Sequence, residues 1–133
     1  MHVFIGGAYN GKRQFVKDWL QEQGVSNAQW FDGELPKALE DESVVVLHNL
    51  DYYIQQQDLG DEVATAEAVF KQIKAIEEYH HLIVILTDMG RGLVPIDKEA
   101  RQLRDTCGRF YQLLLKESSH VTRIWYGLAE TLK

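Results

Sequence analysis

The sequence holds one cysteine, two prolines and two methionines in 133 residues. A lone thiol, Cys107, excludes an internal disulfide and any four-cysteine zinc site. The compartment it fits is a reducing one, the cytoplasm. Long apolar runs are missing too. The longest, residues 44–47 and 82–87, fall far short of the roughly 20 residues that cross a bilayer. The opening MHVFIGG has neither the basic stretch nor the long apolar stretch of a secretory signal. Basic charge is in deficit, with 14 Lys+Arg against 20 Asp+Glu and a net charge of −6. With no Lys/Arg cluster of five or more, that balance argues against nucleic acid and anionic membrane as partners.

What is present reads as an ordinary globular chain, 45% hydrophobic and 26% charged. At about 150 residues per domain, residues 1–133 form one domain. A compact chain of this size buries roughly two-thirds of its unfolded surface, enough for a core without staples. Apolar β-branched runs at 2–5, 43–47, 82–87 and 121–126 read as strands. Apolar residues at helical spacing follow Lys12 (Phe15, Val16, Trp19, Leu20), fill 61–79 (Val63, Ala66, Val69, Phe70, Ile73, Ile76) and fill 98–117 (Ala100, Leu103, Cys107, Phe110, Leu114). The stretch 21–37 reads as loop with one short helical piece, and the residues after Tyr126 as a tail. Continuous apolar strands separated by helices indicate an α/β fold. The expected architecture is a mostly parallel sheet of four or five strands with helices on both faces. Ligands bind such sheets at the carboxyl ends of the strands, here residues 6–12, 48–51 and 88–95.

The first of those ends carries chemistry. Gly6-Gly7-Ala8-Tyr9-Asn10-Gly11-Lys12 matches seven positions of the phosphate-binding loop G-x-x-x-x-G-K-[ST], between a strand and a helix as the motif requires. Glycines let backbone amides wrap an anion, the helix start adds partial positive charge, and the lysine reaches the outer phosphates. The eighth position is Arg13, where the motif has a hydroxyl that ligates magnesium; a guanidinium cannot do so. Arg13 either holds phosphate itself as a charge-assisted donor or points to solvent. A second magnesium helper, an aspartate ending a later strand, is replaced by His48.

Other polar residues have two readings each. His48 with Asp51 is an acid–base pair near a phosphoryl group, or a polar end to a strand. Arg101, Arg104 and Arg109 with Asp105 are a solvated helix face, or Arg101, Arg104 and Asp105 organise the preceding loop or a subunit contact. His80-His81 reads as a helix ending rather than a metal site, and Cys107 as a small buried hydrophobe.

With these pieces in view, the chain resembles the adenosylcobinamide kinase / adenosylcobinamide-phosphate guanylyltransferase family of cobalamin biosynthesis. Gly6 to Arg13 corresponds to its G-G-A-R-S-G-K-S, and Trp30-Phe31-Asp32-Gly33-Glu34-Leu35-Pro36 is similar to its W-x-T-x-E-x-P. Gly90-Arg91-Gly92-Leu93-Val94-Pro95 matches G-x-G-I-V-P, and residues 101–112 match R-x-F-R-D-x-x-G-x-x-N-Q apart from Leu103 and Tyr111. The likeness is stronger after Thr87.

The resemblance implies a RecA-like phosphate-loop fold, a homotrimer, and GTP or ATP as nucleotide with a corrinoid, adenosylcobinamide, as the other substrate. It also implies a kinase step followed by guanylyl transfer through a histidine–GMP intermediate. Three departures bear on this: Arg13, His48, and the missing segment that would carry the guanylylated histidine. Only nine residues, Gln21 to Gln29, separate Leu20 from Trp30, and none is histidine. The expectation is a degenerate member that binds phosphate or nucleotide at residues 6–13, with Gly90, Gly92, Pro95, Arg101, Arg104 and Asp105 as second-loop candidates and no bound metal. The alternative is an active adenosylcobinamide kinase without guanylyl transfer.

Overall fold

The computed structural model of the chain describes residues 1–8, 11–38, 43–89 and 97–133. In order, the elements are β1 (His2–Gly6), α1 (Lys12–Glu22), β2 (Gln29–Asp32), β3 (Val44–His48), α2 (Leu50–Gln55), α3 (Glu62–Glu77), β4 (His81–Thr87), α4 (Lys98–Glu117), β5 (His120–Trp125) and β6 (Leu128–Thr131). The strands form one six-stranded sheet in the order β2-β3-β4-β1-β5-β6. β1 pairs in parallel with β4 and β5, and β3 in parallel with β2 and β4; only β6 runs antiparallel, against β5. Inserting β4 between β1 and β3 is consistent with a RecA-like phosphate-loop fold. No described helix is long and apolar enough to cross a membrane.

The sheet has six strands, where four or five were expected. The two additions explain the miss. β2 lies inside the stretch read as loop; it has four residues, three of them half-buried, too few to show a period. β6 lies in the expected tail and is exposed at every residue, so no burial pattern marks it. Pairing with β3 and β5, rather than apolar content, makes them strands.

The period of two divides the strand residues between two faces. On one, Val3, Val45, Leu47, Val84 and Leu86 pack with Leu50 and Ile54 of α2, Val69 and Ile73 of α3, and Cys107, Phe110 and Leu114 of α4. On the other, Phe4, Val46, Ile83, Ile85 and Ile124 meet Val16 and Leu20 of α1. Helices thus flank both faces, three against one.

Candidate phosphate-binding site

The helix starts differ in how their backbone amides are used. Asp61 caps α3, accepting from the Ala64 amide at 3.0 Å, and Asp97 caps α4, accepting from the Glu99 amide at 3.1 Å. α1 and the six-residue α2 begin instead without a side-chain cap, at Gly11 and Asn49; α2 has Asp51 in its first turn, whereas α1 has no acidic residue there. Gly11 has φ +76, a conformation that favours glycine. The amides and partial positive charge of that helix start are left to an anion.

Gly6, at the end of β1, is required by packing. A Cβ there would collide with the Ile124 carbonyl oxygen of β5. The next residues lead to Lys12, whose Nζ donates a hydrogen bond to the Gly7 carbonyl at 2.7 Å. Burial lowers the Lys12 pKa, while Asp51 and Asp88 oppose that shift. Asp51 opens α2 just beyond β3, and Asp88 directly follows β4, its amide donating to the Gly6 carbonyl at 2.8 Å. Three strand ends therefore bring one lysine and two carboxylates into electrostatic reach.

Beneath them, the Tyr111 hydroxyl donates to the Thr87 carbonyl at 2.8 Å, tying α4 to the end of β4. Burial, aided by Cys107, Asp51 and Asp88, raises the Tyr111 pKa. Burial, aided by Asp51, pushes the Cys107 thiol up to about 12, so it stays protonated and unreactive.

Arg13 and His48 lie elsewhere, on the face that α1 covers. The Arg13 guanidinium stands 5.7 Å from the Trp30 ring centroid, and Lys17 Nζ stands 5.8 Å from the same ring. The His48 ring meets Trp30 edge-on at 5.8 Å. Its Nδ1 is 4.0 Å from Asp32 Oδ1, the side chain is 7% exposed, and Nε2 has no hydrogen-bond partner. Burial lowers the His48 pKa; Asp32 opposes this, and Arg13 and Lys17 add to it. The imidazole is therefore neutral near pH 7. The carboxylate beside His48 is Asp32, also bound by Asn49 Nδ2, whereas Asp51 acts on Lys12, Cys107 and Tyr111. Of the two readings of His48 with Asp51, the acid–base pair is thus divided between the two faces of the sheet.

Neither Arg13 nor His48 offers an oxygen to magnesium. Among the described residues, no group of three or more His, Cys, Asp or Glu could hold a metal ion. The residues do not fit the magnesium site of the phosphate-loop motif.

The other four histidines sit at the opposite end of the strands: His2 begins β1, His81 begins β4 with His80 before it, and His120 begins β5. They line a cleft of about 1030 Å³ together with Trp19 and Val44. Cavity volume and phosphate chemistry thus point to opposite ends of the sheet, and the chemistry, with its lysine and carboxylates, decides the candidate.

On α4, Arg104 bonds Asp105 through Nε at 3.2 Å and Nη2 at 2.9 Å, and Arg101 is exposed one turn earlier. Arg109 reaches Glu62 of α3 at 3.5 Å. Tyr9, Asn10, Gly90, Gly92 and Pro95 lie outside the described residues. In the sequence Asp88 is only the first residue of the strand end 88–95; its place directly after an apolar strand is the signal that marks it individually.

A family model described as cobinamide kinase / cobinamide phosphate guanyltransferase matches residues 23–132. The chain belongs to this family. No curated protein matches it at a significant level. The cobinamide kinase / guanyltransferase match begins after α1, so it rests on β2 and everything beyond. Lys12 and the glycines before it lie outside the match and stand on their own geometry. The matched region contains Asp51 and Asp88, the two carboxylates that act on that lysine.

Proposed function

We propose that this member of the cobinamide kinase / guanyltransferase family binds the phosphates of GTP or ATP on residues 6–12 and does not transfer the guanylyl group. The observation that carries the reading is the half-buried Lys12, at the start of a helix without a side-chain cap and flanked by Asp51 and Asp88. The loop amides and the ammonium hold the phosphates. Nucleotidyl transfer through histidine needs a free imidazole nitrogen beside them. His48 Nε2 is buried under α1, and the other four histidines are at the far end of the strands. No described histidine stands where that chemistry would occur.

The same carboxylates favour a second reading, a surviving kinase. Asp51 or Asp88 would accept the proton of the corrinoid hydroxyl as its oxygen attacks the terminal phosphorus. Lys12 would balance charge on the transferred group, and the nucleoside diphosphate would leave. With Arg13 over Trp30, few donors share that work, so turnover would be slow.

Thermal unfolding with GTP and ATP, each with and without magnesium, tests the binding. At a ligand concentration ~100 times the dissociation constant, stabilisation is ~2.7 kcal/mol, a rise of roughly 10 °C for a domain of this size. Lys12→Ala should abolish it; a shift that survives Lys12→Ala would sink the phosphate-loop reading. Transfer of labelled terminal phosphate from GTP to adenosylcobinamide would separate the kinase from the binding protein.

A further inference from the structure

We propose that the turn between β5 and β6, with the rings of Trp125 and Tyr126, is the platform on which the base of the bound nucleotide stacks. This rests on the phosphate-binding reading and adds where the rest of the nucleotide goes.

The sheet order sets the direction. β1 lies between β4 and β5. On the β4 side stand Asp88 and, one strand further, Asp51, the carboxylates that act on Lys12. A lysine at this position engages the outer phosphates, so the outer end of the phosphate chain faces β4 and β3. The ribose and base extend away from those carboxylates, toward β5. There the hairpin turn comes back to the glycine loop. A Cβ on Gly11 would lie 3.9 Å from the Gly127 nitrogen and 4.0 Å from its Cα. The turn and the loop are in van der Waals reach.

What the turn offers is aromatic. Trp125 is 58% exposed and Tyr126 75%, with ring centroids 5.7 Å apart and planes at 46°. Arg123 steadies the indole, its guanidinium 5.9 Å from the ring centroid and 3.9 Å from the Glu130 carboxylate. Tyr126 has φ +49, a left-handed backbone that glycine takes freely and a bulky residue takes at a cost. Tyr126 and Gly127, both with positive φ, form the two-residue turn of the hairpin, and Tyr126 carries its exposed ring at that tip, next to the glycine that approaches Gly11. Every base has a π-face, so a site built on stacking accepts guanine and adenine with little distinction.

The test measures binding of GTP, ATP and inorganic tripolyphosphate by calorimetry, in the full chain and in Trp125→Ala and Tyr126→Gly. Both nucleotides should bind more tightly than tripolyphosphate. Each variant should lose about fivefold or more for the nucleotides and nothing for tripolyphosphate. Tyr126→Gly eases the left-handed backbone, so it keeps the test open if Trp125→Ala folds poorly, and Trp125→Phe should retain most of the affinity. Tripolyphosphate binding as tightly as nucleotide, or variants with unchanged nucleotide affinity, would overturn the platform and leave the phosphate site standing. If none of the three ligands binds, the phosphate reading fails and the platform with it. A change in sedimentation with nucleotide affinity intact would assign the rings to a contact between copies, which also overturns the proposal.

Discussion

The two faces of the sheet are built on different terms. Three helices cover one, and Phe110, Leu114, Ile54 and Ile73 there are fully buried. Among the described residues one helix covers the other, with Trp19, Trp30 and Val25 packed against its core and Arg13 and Lys17 standing over Trp30. The departures from the phosphate-loop motif, Arg13 and His48, both fall on this thin face. The difference suggests what these departures do. On this face the cation after Lys12 and the histidine ending β3 pack around Trp30, while Lys12, Asp51 and Asp88, the residues of the proposed phosphate site, stand at the strand ends.

The largest effect expected is on the thick face. Phe110→Ala should cost about 3–5 kcal/mol, against about 2 kcal/mol for Leu20→Ala, whose neighbourhood opens onto the amino-end cleft and can relax. Equal losses in denaturant titrations of the two would erase the distinction. Gly6→Ala probes the joint between the faces. Its new Cβ meets the Ile124 carbonyl, a backbone atom that cannot turn aside, and a loss of about 1–3 kcal/mol should follow. Tyr111→Phe leaves the Thr87 carbonyl without its donor and should cost about 1–2 kcal/mol. A neutral result would mean that water replaces the hydroxyl.

The smallest effect is a pH dependence confined to the thin face. Burial, with His120 and the N-terminal amine, lowers His2 from 6.5 to about 4, where its ring stacks on Phe4 at 4.1 Å. A lowered base is favoured neutral in the fold. Its contribution is therefore complete above pH 6.5 and is lost as pH falls from there toward 4. His48 has the same sign. His2→Phe should keep the stack and flatten that part of the stability curve; an unchanged slope in acid titrations would assign it to other groups.

Much of this architecture is legible in the sequence because burial leaves a period. α4 falls on residues 98–117 as its apolar steps of three and four require, and β1, β3 and β4 as continuous apolar runs. α2, with six residues, and the two short strands leave no period to find. The site is legible in part. Lys12 and the glycines announce themselves, but which carboxylate meets which base depends on strand order. His48 and Asp51 are three residues apart in sequence and face opposite sides, while Asp32 reaches His48 through the parallel pairing of β2 with β3. Asp88 meets Lys12 only because β4 inserts next to β1.

That insertion also governs how the molecule is made. β1 is synthesised before both of its partners, since His2 pairs with Ile83 on one side and His120 on the other. At about 5–20 residues per second, the strand that positions the glycine loop waits several seconds for partners with both edges unpaired. Such a high-contact-order assembly folds slowly. Until then the apolar His2-Val3-Phe4-Ile5 stretch keeps two unpaired edges, the kind of exposure that favours aggregation.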